Sequence, residues 1–524
     1  MTDPTRIMVG GAPEGFDARV LLDEVARAEG PVIHIARDDK RLAAMRAALR
    51  FFAPDMPVFH FPGWDCLPYD RVSPNADISA ARMATLAGLV HGMPSRFVLL
   101  TTLNAATQRV PARDVLKGAA FSARVDYQID EDALKSFLVR MGFSQSPTVM
   151  EPGDYAVRGG IIDIYPPGES GPVRLDLFGD VLDGVRRFDP VTQRTTDKLD
   201  QIELAPVSEV ILDEAAITRF RQNYRIEFGA AGTDDPLYEA VSAGRKQAGM
   251  EHWLPLFHDP LETLFDYLPG APVCQDEQLD AARLTRWDGI RDQYKARRHA
   301  MDQKGHGDTV YKPVAPELLY LDDDTWTDAV AGRRVLAFSA LPQAPGPGCV
   351  DAGGRIGRNF APERQQENIN LFSVLKDHVE ARMAEGPVLI AAYSEGARER
   401  LEGLVEDEGL LGAVSVRDAG GLGKRGLHLT VWPLEHGFTA PDLTVIAEQD
   451  ILGDRLIRAP KKRRRAENFL TEAQSLSAGD LVVHVDHGIG RYLGLVTIEV
   501  TGAPHECLAL EYHGDAKLYL PVEN

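Results

Sequence analysis

Cysteine is scarce. The four residues Cys66, Cys274, Cys349 and Cys507 are spread over 524 positions, and no two are closer than 75. That spacing excludes a Cys-x-x-Cys metal knuckle and a disulfide ladder, and it suits a reducing cytoplasm, the expected location. No run approaches the roughly 18 apolar residues of a membrane span, so no membrane partner is expected. The start, Met1 to Arg6, lacks the basic region and long apolar core of a signal peptide. Positive charge is also short: 57 Lys and Arg face 78 Asp and Glu, a formal net charge of −21. Such a body does not coat nucleic acid with its whole surface, because phosphate binding needs a cationic face.

What is present has the composition of ordinary globular domains, 44% hydrophobic and 26% charged. At roughly 150 residues per domain the length implies three or four of them. Ile7-Met8-Val9 is a short apolar strand followed by glycines, after which Ala18, Leu21, Leu22 and Val25 fall on one helical face. Residues 30–36 form a second strand. Leu42, Met45 and Leu49 mark the next helix, and residues 97–100 a later buried strand. Strands alternating with helices predict a mostly parallel sheet. From about 120 to 206 the period changes to two. Val173, Leu175 and Leu177 point one way, and Arg174, Asp176 and Phe178 the other, which predicts an inserted antiparallel domain. Residues 207–340 are helical and aromatic-rich and complete the first domain. Pro342 to Gly354 reads as a boundary. Gly386 to Ala391 then opens a second small α/β domain. Seven basic residues lie between Arg455 and Arg465, and from Gly479 onward short strands with glycine turns suggest a small barrel.

The most pointed motif is the first glycine loop. Gly10 and Gly15 have the glycine spacing of a Walker A phosphate loop, but Phe16 and Asp17 stand where Lys and Ser or Thr belong. Phe brings no charge to the β- and γ-phosphates, and Asp repels them. The segment is either a phosphate-loop shape without its chemistry or a plain glycine turn. Both readings predict no ATP hydrolysis. Gly423-Lys424 is followed by Arg425 and has Asp418 in place of the first glycine, so it fails too. Residues 443–448 resemble a Walker B strand but read as a strand end. His484 and His487 have His-x-x-His spacing with only Asp486 nearby, and a polar turn explains them better than a metal site. No constellation for covalent catalysis appears.

On the strand 173–178, Arg174 and Phe178 share the face away from the core, a composition common at protein-binding hot spots. Arg158 precedes Gly159-Gly160, which permit a bulge that presents it. The alternative is two salt-bridged surface arginines and a half-buried Phe. The run 455–465 is either a self-repelling linker, the favoured reading, or a contact for DNA phosphates.

Several segments together resemble the N-terminal half of the bacterial transcription-repair coupling factor family, Mfd. They are residues 61–70 (FPGWDCLPYD) with Ser73, Pro74, Asp77, Ile78 and Arg82; residues 155–166 (YAVRGGIIDIYP); residues 448–454 (EQDILGD); and residues 479–492 (GDLVVHVDHGIGRY) with 508–512 and 517–522. The resemblance implies a multidomain α/β chain. A UvrB-like parallel α/β domain spans 1–119 and 207–340, with an α+β UvrA-binding domain inserted at 120–206. A small α/β domain follows at 341–454 and a basic linker at 455–476. An RNA-polymerase-interacting, CarD-like module of SH3/Tudor type, incomplete at its end, occupies 477–524. It implies UvrA contacts at Arg158, Arg174 and Phe178. It also implies strand addition of residues 495–500 to the polymerase β subunit, with Leu495 and Ile498 as contacts. No cofactor is expected in this segment. ATP and Mg²⁺ would serve the family's translocase motor, which would carry most of the contact with duplex DNA and which these 524 residues lack, as in a fragment. Only 12 residues separate Tyr69 from Arg82, too few for the long damage-reading hairpin of UvrB.

Overall fold

The computed structural model describes residues 6–70, 72–229, 235–302, 311–366, 368–453, 479–484, 488–500, 503–512 and 516–521. The basic run 455–465 and His487 lie outside them. One compact unit holds nearly all of residues 6–453, and a second is built on residues 479–521.

The first unit begins as the apolar periods predict: β1 (Arg6–Gly10), α1 (Asp17–Ala28), β2 (Val32–Ala36), α2 (Asp39–Phe52), β3 (Val58–Phe61), α3 (Ala76–His91) and β4 (Val98–Thr102). Ala18, Leu21 and Val25 are buried on α1, and Leu42, Met45 and Leu49 on α2. The Asp38 carboxylate caps α2 by accepting from the Arg41 amide. The chain then leaves this sheet to build the inserted domain. That domain consists of α4 (Glu131–Arg140), β5 (Ser144–Gln145), β6 (Asp154–Arg158), β7 (Ile161–Ile164), β8 (Val173–Phe178), β9 (Val181–Phe188) and β10 (Thr195–Leu199). These six strands form one sheet in the order β10-β9-β8-β7-β6-β5, antiparallel except for the β5–β6 pair, and Phe121–Arg124 pairs with Gln201–Leu204 in a separate antiparallel ribbon. Val173, Leu175 and Leu177 pack inward against Leu134, Phe137 and Leu138 of α4, so the alternation predicted for this strand holds.

The return segment, α5 (Glu214–Phe228), β11 (Val273–Gln275), α6 (Leu279–Asp302) and β12 (Val335–Phe338), completes the first sheet. One further strand corrects the boundary expected at 342–354. β13 (Cys349–Asp351) lies inside that Pro/Gly stretch and pairs in parallel with β1. The seven strands run β13-β1-β12-β11-β2-β4-β3, and every pair is parallel. Trp253 and Phe257 sit with Phe220 and Tyr224 in an aromatic core, whereas Phe265 and Tyr267 pack with the buried apolar residues of β2 and β4.

The second α/β domain has β14 (Arg355–Ile356), α7 (Leu371–Met383), β15 (Pro387–Ala392), α8 (Glu395–Asp407), β16 (Val414–Ser415), β17 (Gly426–Val431), β18 (Phe438–Ala440) and β19 (Leu443–Ala447), with strand order β14-β18-β19-β15-β17-β16. Its residues Leu389, Trp432, Leu434 and Phe438 share one core with α1, α2 and the loop after β1. The second unit is a four-stranded antiparallel sheet in chain order: β20 (Leu481–His484), β21 (Gly488–Val500), β22 (Ala503–Glu511) and β23 (Lys517–Pro521). No helix among the described residues is long and apolar enough to cross a membrane.

Candidate protein-interaction sites

The glycine loop joins β1 to α1 as a phosphate loop does, but its interior is filled with protein. Gly15 has φ of +89°, the left-handed region that favours glycine. A Cβ there would lie 2.9 Å from the Phe438 ring and 3.1 Å from Leu434. Phe16 is buried, with its ring 5.8 Å from that of Phe438, and burial of such a side chain contributes about 1.5–3 kcal/mol. Asp17 is also buried. Its Oδ1 accepts from the Gly15 amide at 3.0 Å and its Oδ2 from Arg41 Nη2 at 2.6 Å. The same guanidinium reaches Glu14 at 2.7 Å and Asp276 at 2.9 Å. Burial pushes the Asp17 carboxyl up to about 7, against the opposing pull of Arg41. Three carboxylates thus converge on the Arg41 guanidinium. Arg41, Glu14 and Asp276 carried no sequence signal, because Asp276 lies 235 positions from Arg41.

Within the stretch 61–82, Arg82 forms a buried anchor. Arg82 is fully buried and makes bonds of 3.0 and 2.8 Å to the Glu209 carboxylate and one of 2.8 Å to the Pro62 carbonyl. Trp64 Nε1 donates to the same carboxylate at 2.7 Å. Glu209 stands where the chain returns from the inserted domain, so this pair ties that domain's root to α3.

In the inserted domain, β6 and β8 both run toward the same end of the sheet, so their following turns lie side by side. Gly159-Gly160 is not a bulge. Arg158 and Ile161 are register partners, and Gly159, at φ of +60°, makes a two-residue hairpin turn. The register irregularity lies instead between Asp176 and Leu177 on β8, opposite β9. Arg158 is exposed and one of its nitrogens donates to the Pro147 carbonyl. Phe178 is 83% exposed rather than half-buried, because it closes β8 beyond the last layer of the core. Arg174 differs from both. Its Nε and Nη2 bind the buried Asp163 carboxylate at 2.7 and 2.9 Å, and its guanidinium carbon lies 4.8 Å from the centre of the Phe188 ring. The structure therefore brings Arg158 and Phe178 to one sheet end and sets Arg174 one layer back as a half-buried ion pair.

In the second unit β20 pairs only with residues 488–491 of β21. From Gly494 to Val500, β21 pairs with β22 alone, so among the described residues its other edge has no strand beside it. Leu495 is half-exposed and opposes Leu508, and Ile498 opposes His505. Three positions apart on a regular strand, Leu495 and Ile498 fall on opposite faces. The Ile498 side chain lies outside the described atoms.

These features define a class: a parallel α/β body with a filled phosphate loop, an inserted β-rich domain with an exposed hairpin end, and a module with an open strand edge. Family models match in the same order. They are the UvrB interaction domain at 121–210, the MFD, D3 domain at 381–451, and the CarD-like/TRCF RID domain at 476–524. The chain is similar over nearly its whole length to the N-terminal portion of transcription-repair-coupling factors. It is 32% identical to that of Escherichia coli (strain K12) over 98% of this chain and 44% of the relative. It is 28% identical to that of Rickettsia bellii (94% and 43%) and 32% to that of Myxococcus xanthus (94% and 42%). It thus spans under half the length of these relatives.

Proposed function

We propose that this chain is the adaptor part of a transcription-coupled nucleotide excision repair factor. In this reading the inserted domain binds UvrA through Arg158 and Phe178. The C-terminal module, read as a small SH3/Tudor-like barrel, adds the 495–500 edge of β21 to a strand of the RNA polymerase β subunit. The segment binds no nucleotide of its own. ATP-driven movement on duplex DNA belongs to the part of the relatives' length that this chain does not span. One observation carries the reading: an aromatic side chain 83% exposed at the same sheet end as an exposed arginine, in the domain matched by the UvrB interaction model. Exposed aromatic and arginine neighbours are the residue types that dominate protein interfaces.

Purified UvrA is expected to co-purify with the chain, and Arg158→Ala with Phe178→Ala to lower its affinity at least 100-fold, the order of two hot-spot losses. Equal binding by the double variant overturns the site. Binding to polymerase without UvrA would favour a CarD-like regulator instead.

A further inference from the structure

We infer that Ile161 is a second apolar anchor of the same docking surface, seated between Arg158 and Phe178. The inference rests on the reading of the inserted domain as UvrA-binding. Ile161 opens β7 and has two register partners, Arg158 on β6 and Asp176 on β8. Directly opposed residues on a sheet face hold their Cβ atoms about 5 Å apart, so Ile161 shares the outward face with Arg158, Asp176 and Phe178. It is 37% exposed, although the inward face one position later holds a fully buried isoleucine, Ile162. Beside Ile161 the Asp176 carboxylate is taken up by Arg186 at 3.0 Å, and one layer further from the turn Asp163 pairs with Arg174. The apolar spot made by Ile161 and Phe178 is therefore confined to the sheet end, with a guanidinium on one flank.

The two hairpins that carry this spot are locked together. The Leu177 amide donates to the Gly160 carbonyl at 2.7 Å, and a Cβ on Gly160 would lie 2.7 Å from the Leu177 carbonyl oxygen. Ile161, next to Gly160, and Phe178, next to Leu177, are thereby held in fixed relation before any partner arrives. Pre-organisation of this kind reduces the ordering entropy lost on association. The surface fits an apolar recess that takes an aromatic and a β-branched side chain together, with a carboxylate or carbonyl at the Arg158 side.

The test is titration of purified UvrA against the full chain carrying Ile161→Ala, Ile161→Thr, Phe178→Ala or Val191→Ala. Ile161→Thr keeps the β-branched shape, and Val191 is an exposed apolar residue at the opposite end of the same sheet. Both Ile161 variants are expected to weaken binding about tenfold with unchanged melting curves, while Val191→Ala binds as the unmodified chain does. Normal binding by both Ile161 variants, with Phe178→Ala impaired, overturns the inference and leaves the UvrA reading standing. Normal binding by Phe178→Ala as well overturns both. Equal loss from Val191→Ala also overturns the inference, since the effect would not be local.

Discussion

Arg174 and Phe178 share one face of one strand yet differ in what holds them. Phe178 has open solvent around it, whereas Arg174 is already bound by a buried carboxylate. Asp163→Ala should therefore damage the sheet, leaving a half-buried cation unpaired, and Phe178→Ala should leave stability within about 0.5 kcal/mol, as for a surface change. Thermal melts of the two variants check this. Arg82 gives a sharper case. Removing it strands the buried Glu209 carboxylate, so Arg82→Ala is expected to cost about 3–5 kcal/mol in urea unfolding. Buried and half-buried histidines add a pH dependence. Burial lowers His34 and His60 to about 4 and His252 to about 3, from an ordinary value of 6.5. Across that window the unfolded chain holds protons that the folded chain does not, so stability falls as pH drops. Asp17 acts the other way: its raised pKa weakens stability as pH rises from 3.8 to about 7. Burial also lowers His258 and His378, so the histidines outweigh Asp17 on the acid side, and the urea midpoint should be lower at pH 5 than at pH 7.

At the scale of elements, the loop after β1 shows that restoring a motif need not restore its chemistry. Phe16→Lys with Asp17→Ser rebuilds the Walker A residues. In this fold the new lysine would enter the aromatic contact with Phe438, and Arg41 would lose its closest carboxylate. The expected result is no nucleotide binding by fluorescence titration and a loss of several kcal/mol, since an unpaired charge is buried. Recovered ATP binding would show that only the lysine was missing. Much of this region was legible beforehand. The strand, the glycine spacing, the helix face and the absent lysine are local, and local periodicity reports them. The filling of the loop by residues some 400 positions away is not local, and no spacing rule reaches it. The same limit explains the turn at Gly159-Gly160. Two glycines permit a bulge or a hairpin turn, and only the pairing of Arg158 with Ile161 decides between them. β13 escaped for another reason: three residues amid Pro and Gly have no measurable period, and pairing with β1 alone makes them a strand. The outward face of β8 was legible because alternation is a two-residue signal, but the partner of Arg174, eleven positions earlier, was not.

Across the first unit, one hydrophobic core runs from α1 and α2 into the second α/β domain. Trp432 stacks on Phe51 at 4.8 Å and meets Phe52 edge-on at 5.6 Å, and Arg19 binds Asp442 through two nitrogens. Trp432→Ala should thus cost about 3–5 kcal/mol and lower the melting of both α/β domains together, read as one shifted calorimetric transition. The strand order of the first sheet has a temporal meaning as well. β1 is made first, but its neighbours β12 and β13 are made more than 320 residues later. On a ribosome, the N-terminal strand waits unpaired while the inserted domain, whose strand pairs all lie within residues 121–204, is already whole. Synthesis order therefore places the hairpin end that carries Phe178 ahead of the body that supports it, and a chain arrested near residue 260 should display a finished recognition domain on an unfinished sheet.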